Sequence, residues 1–170
     1  MSKERLSFYE QRTIKWDDAT NSVILIDQTL LPTSLSFIEC KDVPSVVDAI
    51  KTMKVRGAPA IGVAGAMGVA LAVVSSDAGT KKELFRVIEL DVTALKSARP
   101  TAVNLAWGVD KTVNYLKGKL PESFERGAPA KLVTEYVKDL ADQDVATNRK
   151  LSDYGAKLFR SGESVLTHCN

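Results

Sequence analysis

The chain has 170 residues, 45% hydrophobic and 26% charged, with a formal net charge of +2. That length and composition allow one globular domain, or one and a fraction, with a sizeable core, and the near-neutral balance argues against nucleic acid or a membrane surface as partner. Two cysteines, Cys40 and Cys169, and one histidine argue against a Cys/His zinc cluster, so no metal site is expected.

The opening MSKERLSFYEQR is charged and lacks the apolar core of a secretory signal. With so few cysteines, this points to a reducing, cytoplasmic setting. TIKW (Thr13–Trp16) and SVILID (Ser22–Asp27) flank the turn-rich DDATN and predict a hairpin. A third strand is expected over Ser34–Cys40, with Leu35, Phe37 and Cys40 near one side and Ser36 and Ile38 on the other. Helices then take over. Asp42 is a natural N-cap, with Pro44 in the first turn and Val46, Val47, Ile50 and Met53 at helical spacing.

From Ala58 to Val74 the chain runs APAIGVAGAMGVALAVV without a charge. Seventeen residues fall short of the roughly 20 that cross a bilayer, and small residues dominate, so a fully buried central helix is the better reading. Ala58, Gly62, Ala66 and Ala70, four apart, would let another backbone approach closely. An amphipathic helix is expected over about Lys81–Lys96, with Leu84, Ile88, Val92 and Leu95 as its stripe. Another runs from a cap at Thr101 to about Lys117. Pro129 opens a last long helix, with Leu132, Val133, Tyr136, Val137 and Leu140 on one side, and Leu151, Leu158 and Phe159 later. Gly162 is its expected stop. ESVLTHC then reads as a strand, and a lone strand needs neighbours.

The fold class expected is α+β: a small N-terminal antiparallel β unit and a helical bundle over residues 1–162. Residues 163–170 would be the first strand of an absent domain.

Two helix starts share a logic. In KVRGAPAI (Lys54–Ile61), Arg56 precedes Gly57, Ala58 and Pro59 at the mouth of the buried helix. Free N–H groups and aligned peptide dipoles favour an anion there, and arginine adds a bidentate fork. Arg99, Pro100 and Thr101 repeat the arrangement, so the two arginines could clamp one phosphate. Singly, each is a weak signal, since a helix-start arginine is more often a surface cap or ion-pair partner. Cys169 is the third candidate. A buried cysteine is usually an inert small hydrophobe, but strand ends are where open α/β sheets place ligands. His168 is not automatically its base, since strand neighbours face opposite sides. Cys40 is read as structural. No GxGxxG, Walker, HExxH or GxSxG pattern occurs.

In this order, VRGAPAIGVAGAMGVAL (Val55–Leu71), ARPTAVNLAWGV (Ala98–Val109) and VLTHCN (Val165–Asn170) resemble the methylthioribose-1-phosphate isomerases. These belong to a wider family that includes ribose-1,5-bisphosphate isomerases and regulatory subunits of eukaryotic initiation factor 2B. LIDQTLLP (Leu25–Pro32) and FIECKDVPSVVDAIKTM (Phe37–Met53) fit as well. The resemblance implies an aldose–ketose isomerase of methionine salvage that converts 5-methylthioribose 1-phosphate to 5-methylthioribulose 1-phosphate without a cofactor. It places Arg56, Gly57, Ala58 and Arg99 at substrate-binding positions and Cys169 at the active-site cysteine.

The resemblance also implies that the partner aspartate, further substrate contacts and most of a homodimer interface lie in a C-terminal Rossmann-like domain that no segment here matches. Residues 163–170 are then expected to be that domain's first strand, and the 170-residue piece is expected to be inactive alone. Two alternatives are a ribose-1,5-bisphosphate isomerase and a non-catalytic regulatory subunit, against which Cys169 and the two arginines argue. No nucleic-acid or membrane partner is expected.

Overall fold

The computed structural model describes residues 12–167. Strands β1 (Ile14–Asp17) and β2 (Ser22–Ile26) form the expected hairpin, Ile14 opposite Leu25 and Asp17 opposite Ser22. The Asp17 carboxylate closes the turn by accepting from the Ala19 N–H at 2.8 Å. Strand β3 (Phe37–Cys40) pairs antiparallel with the other edge of β2, giving the order β1-β2-β3. It is shorter than Ser34–Cys40, and Cys40 lies on the side of Ile38 rather than with Leu35 and Phe37. Val23 and Leu25 are fully buried, and the register sets Cys40 and Ile38 opposite them. Residues directly opposite share a face, so Ile38 and Cys40 turn inward while Leu35 and Phe37 stay exposed. Burial pushes the Cys40 thiol above its ordinary pKa, as an inert core cysteine requires.

Helix α1 (Val43–Lys51) opens on the expected cap. Asp42 accepts from the Ser45 N–H at 2.8 Å, and the Ser45 hydroxyl accepts from the Asp42 N–H at 3.4 Å. Each bond satisfies a donor that the helix leaves free. Helix α2 (Ala58–Val74) is the centre of the molecule, with every residue from Ile61 to Val73 buried. It is apolar all round because it has protein on every side. The small residues permit a backbone-to-backbone crossing, but not along the whole expected stripe, since Ala58 is exposed. The crossing is at Gly62. A Cβ placed on Gly108 of the crossing helix would stand 2.1 Å from the Gly62 carbonyl oxygen, and one on Gly62 would stand 3.0 Å from the Asn104 carbonyl oxygen.

The expected helix over Lys81–Lys96 is two helices, α3 (Lys81–Val87) and α4 (Glu89–Ser97). The chain bends at Ile88, whose N–H still bonds the Leu84 carbonyl. Glu89 and Asp91 then occupy the first turn of α4, where the dipole favours negative charge. The apolar stripe survives the bend, with Leu84, Ile88 and Leu95 all buried. Helix α5 (Val103–Lys119) starts after Ala102, which provides no side-chain cap; Thr101 is not the cap. The Ala102 N–H bonds back to the Arg99 carbonyl at 2.9 Å, so residues 99–102 form a turn that holds Thr101 short of the helix.

Helix α6 (Ala128–Ala156) opens with Pro129 in its first turn, as expected, after Gly127 in the left-handed region at φ 86°. It ends well before Gly162. Leu158 and Phe159 lie in tight turns beyond it, their N–H groups bonded three residues back. Residues 163–167 are exposed, Leu166 at 99%, and pair with no strand among the described residues. A strand needs a neighbour, and the three-stranded sheet does not supply one. The remainder of that expected strand, residues 168–170, lies outside the described residues.

The sheet packs against α2 and α6, and α1, α4 and α5 close the other sides of α2. No helix among the described residues is long and apolar enough to cross a membrane.

Candidate functional site

A cleft of about 770 Å³ opens where the start of α2 faces the sheet and the second half of α6. The loop before α2 is fixed from two sides. Val55 is fully buried, and the 3-10 turn after β2 straps the backbone. The Gln28 N–H donates to the Lys54 carbonyl at 2.9 Å, and Gln28 Nε2 donates to the Arg56 carbonyl at 3.1 Å. Gly57 then takes φ 94°, a conformation side-chain-bearing residues avoid, although nothing lies within 4 Å of where its Cβ would stand. Glycine is needed here for backbone shape rather than for space.

No side chain caps α2. Pro59 has no N–H, and the Ile61 N–H bonds the Gly57 carbonyl, so the N–H groups of Ala58 and Ala60 have no acceptor within the helix. Gly57, Pro59 and Ala60 line the cleft with Arg56, whose side chain is exposed. Ala58 sits in the same exposed turn.

Arg12 lines the cleft as well, but it is tied to Asp142 at 2.6 Å. Asp144, Asn148, Arg149, Ser152 and Asp153 enter from α6. Asp144 accepts from Asn148 Nδ2 at 3.2 Å, one helical turn on, and loss of hydration pushes its carboxyl above the ordinary range. The result is a trough with Arg56 and open N–H donors at the start of α2, and Asp144, Arg149 and Asp153 along the α6 wall. It can hold an anion that carries hydroxyl groups.

Arg99 is half-buried in the turn between α4 and α5 and does not line this cleft. The two arginines expected to act together are therefore not on one wall among the described residues. The two helix starts do meet, however. A smaller cleft of about 290 Å³ is lined by Pro59 and Val63 of α2, Asn104, Trp107 and Lys111 of α5, and Asp144 and Thr147 of α6. The Lys111 ammonium sits 4.5 Å from the centre of the Trp107 ring. Cys169 lies outside the described residues. No group of three His, Cys, Asp or Glu residues among the described residues could hold a metal ion.

The sequence reading missed the α6 wall. Its one local signal was an aspartate four residues before an asparagine, on a helix stretch that had lost its apolar stripe. Only the fold brings that stretch beside the start of α2.

Residues 54–170 match the initiation factor 2 subunit family. A protein of Methanosarcina acetivorans, provisionally named methylthioribose-1-phosphate isomerase, is 44% identical over 94% of this chain and 44% of its own length. The methylthioribose-1-phosphate isomerase of Pelotomaculum thermopropionicum is 39% identical over 93% of this chain and 43% of its own length. Among solved structures, 5-methylthioribose 1-phosphate isomerase from Pyrococcus horikoshii superposes with a TM-score of 0.79 at 35% identity, over 89% of this chain and 41% of that one. A structure from A. fulgidus described as translation initiation factor eIF-2B, subunit delta, gives 0.78 at 41% identity, over 94% and 45%. The chain thus spans less than half the length of the relatives it matches. It is a member of the initiation factor 2 subunit family.

Proposed function

We propose that this chain is the sugar-phosphate-binding half of an aldose–ketose isomerase that converts 5-methylthioribose 1-phosphate to 5-methylthioribulose 1-phosphate in methionine salvage. The observation that carries the reading is the uncapped start of α2, with Arg56 and Gly57 on a cleft of about 770 Å³, in a chain 39% identical to an isomerase of that name. Arg56 and the N–H groups around Gly57 and Ala58 would hold the phosphate, since helix N-termini and guanidinium groups both favour it. Arg99 lies off this cleft, and only its family motif supports a part for it in binding substrate.

Substrate and product are isomers, so the reaction needs no oxidant. The ring C1–O bond opens, a hydrogen leaves C2 and arrives at C1, and the C2 hydroxyl becomes a carbonyl as its proton passes to the ring oxygen. A sheltered thiol at Cys169, working with a carboxylate, suits that proton traffic. By this reading the carboxylate and the rest of the cavity come from the portion of the relatives that these residues do not match. The 170 residues alone would then bind without turning over.

The test is formation of the ketose phosphate by a polypeptide of the relatives' full length, with the 170-residue chain assayed alongside. The expected result is that Cys169→Ser abolishes turnover but keeps sugar-phosphate binding, and that the 170-residue chain is inactive. Unchanged turnover in Cys169→Ser, or turnover by the 170 residues, would sink the assignment of roles.

A second reading has its own support. The A. fulgidus structure described as an initiation-factor subunit fits as closely as the isomerase. A regulatory subunit would bind the sugar phosphate or a nucleotide without converting it, so the same assay separates the two.

A further inference from the structure

We propose that Asp144, held by Asn148, is the residue that binds the hydroxyl groups of the sugar in this cleft. This inference rests on the sugar-phosphate reading above. It begins from position. Asp144, Pro59 and Val63 line both the larger and the smaller cleft, so the carboxylate stands where the two join. The phosphate end is fixed elsewhere, at Gly57. Pro59 in the first turn of α2 and Val63 one turn further on both border these clefts, so the carboxylate flanks the start of α2 and the wall that runs on from it. A sugar phosphate anchored at Gly57 would lay its pentose along that wall.

The chemistry of the wall supports the assignment. No ion pair forms at Asp144 among the described residues, whereas Asp142, two positions earlier on α6, is paired with Arg12. Asp144 is half-buried, and its only donor among the described residues is the Asn148 amide, which also donates to the Asp144 backbone carbonyl at 2.9 Å. A carboxylate has room for about four hydrogen bonds. Partial burial with one amide donor therefore leaves strong acceptor capacity facing a cavity, and vicinal hydroxyls are the donors that fit it. The other polar groups nearby suit this task less well. Arg149 can only donate, and Gln28 Nε2 is committed to the Arg56 carbonyl. Asn148 fixes the carboxylate from one turn away on the same helix, which makes it a positioning residue.

The experiment titrates the 170-residue chain with 5-methylthioribose 1-phosphate and, separately, with inorganic phosphate. The wild-type chain is expected to bind the sugar phosphate more tightly than phosphate. Asp144→Ala should weaken sugar-phosphate binding tenfold or more and change phosphate binding less than twofold, whereas Arg56→Ala should weaken both. Asp144→Asn keeps the size of the side chain and carries the test if the alanine variant does not fold; it should show the same selective loss. Equal losses for both ligands would mean that Asp144 only supports the wall, and no loss for either would mean that it does not touch the sugar. Each of these overturns the inference and leaves the isomerase reading standing. Failure of the wild-type chain to bind the sugar phosphate would overturn both.

Discussion

Helices α2 and α6 use their lengths in opposite ways. The 17 residues of α2 carry no charge and are buried from Ile61 to Val73. The 29 residues of α6 are buried only along one stripe, Pro129, Val133, Val137, Leu140 and Ala141, after which no residue is fully buried for the four turns that remain. Only the N-terminal end of α2, as far as Val63, reaches the cleft, whereas the second half of α6 forms one of its walls. The core of this fold is held by close-packed helix surfaces, and the cleft opens where that packing ends.

The sharpest way to break that arrangement is at the crossing of α2 and α5. Gly108→Val puts a branched side chain where even a Cβ would meet the Gly62 carbonyl at 2.1 Å. Backbone cannot yield as a side-chain tip can. The variant should lose about 3 kcal/mol or more, at the upper end of overpacking costs, or fail to fold; denaturant midpoints measure it.

A matched pair then compares the two halves of α6. Leu140→Ala, in the buried half, should cost about 2–3 kcal/mol. Leu151→Ala, 68% exposed, should stay within about 0.5 kcal/mol. Similar losses at both sites in urea melts would show that something covers the second half in solution.

Between these lies a helix end that is exposed yet held. Asp42→Ala removes the α1 cap and should cost about 1 kcal/mol at neutral pH. The bonds from Ser45 hold the Asp42 carboxyl below its ordinary pKa in the folded chain. A depressed folded pKa adds stability above the unfolded value of 3.8, and that stability is lost as pH falls through the folded pKa. The difference between wild type and Asp42→Ala should therefore shrink below about pH 4. A gap that stayed constant down to pH 2 would show that the carboxylate is not what caps α1.

The legible parts of the sequence were those where one local rule decides. Turn residues gave the hairpin, Asp42 and Pro44 gave α1, and the uncharged Ala/Gly run gave the buried helix. The signals at Arg56 and Gly57 were equally local, and both residues line the cleft. What went unread depended on partners distant in sequence. The inward face of β3 is set by register against β2, not by its own alternation. The bend at Ile88 leaves the apolar stripe unchanged, so periodicity could not reveal it. Arg99 shares a motif pattern with Arg56 but not a cleft wall, and Asp144 acquires its place only because α6 lies across the start of α2.

Trp16 and Trp107 are the only tryptophans in the chain, and they occupy opposite environments. Trp16 is sealed in the sheet's core, while Trp107 is 50% exposed on the rim of the smaller cleft, under Lys111. The molecule therefore carries two intrinsic optical probes that do not report the same thing. A water-soluble quencher reaches one indole and not the other. The quenched component of the fluorescence follows events at the cleft, and the protected component follows the integrity of the core, without any label being added.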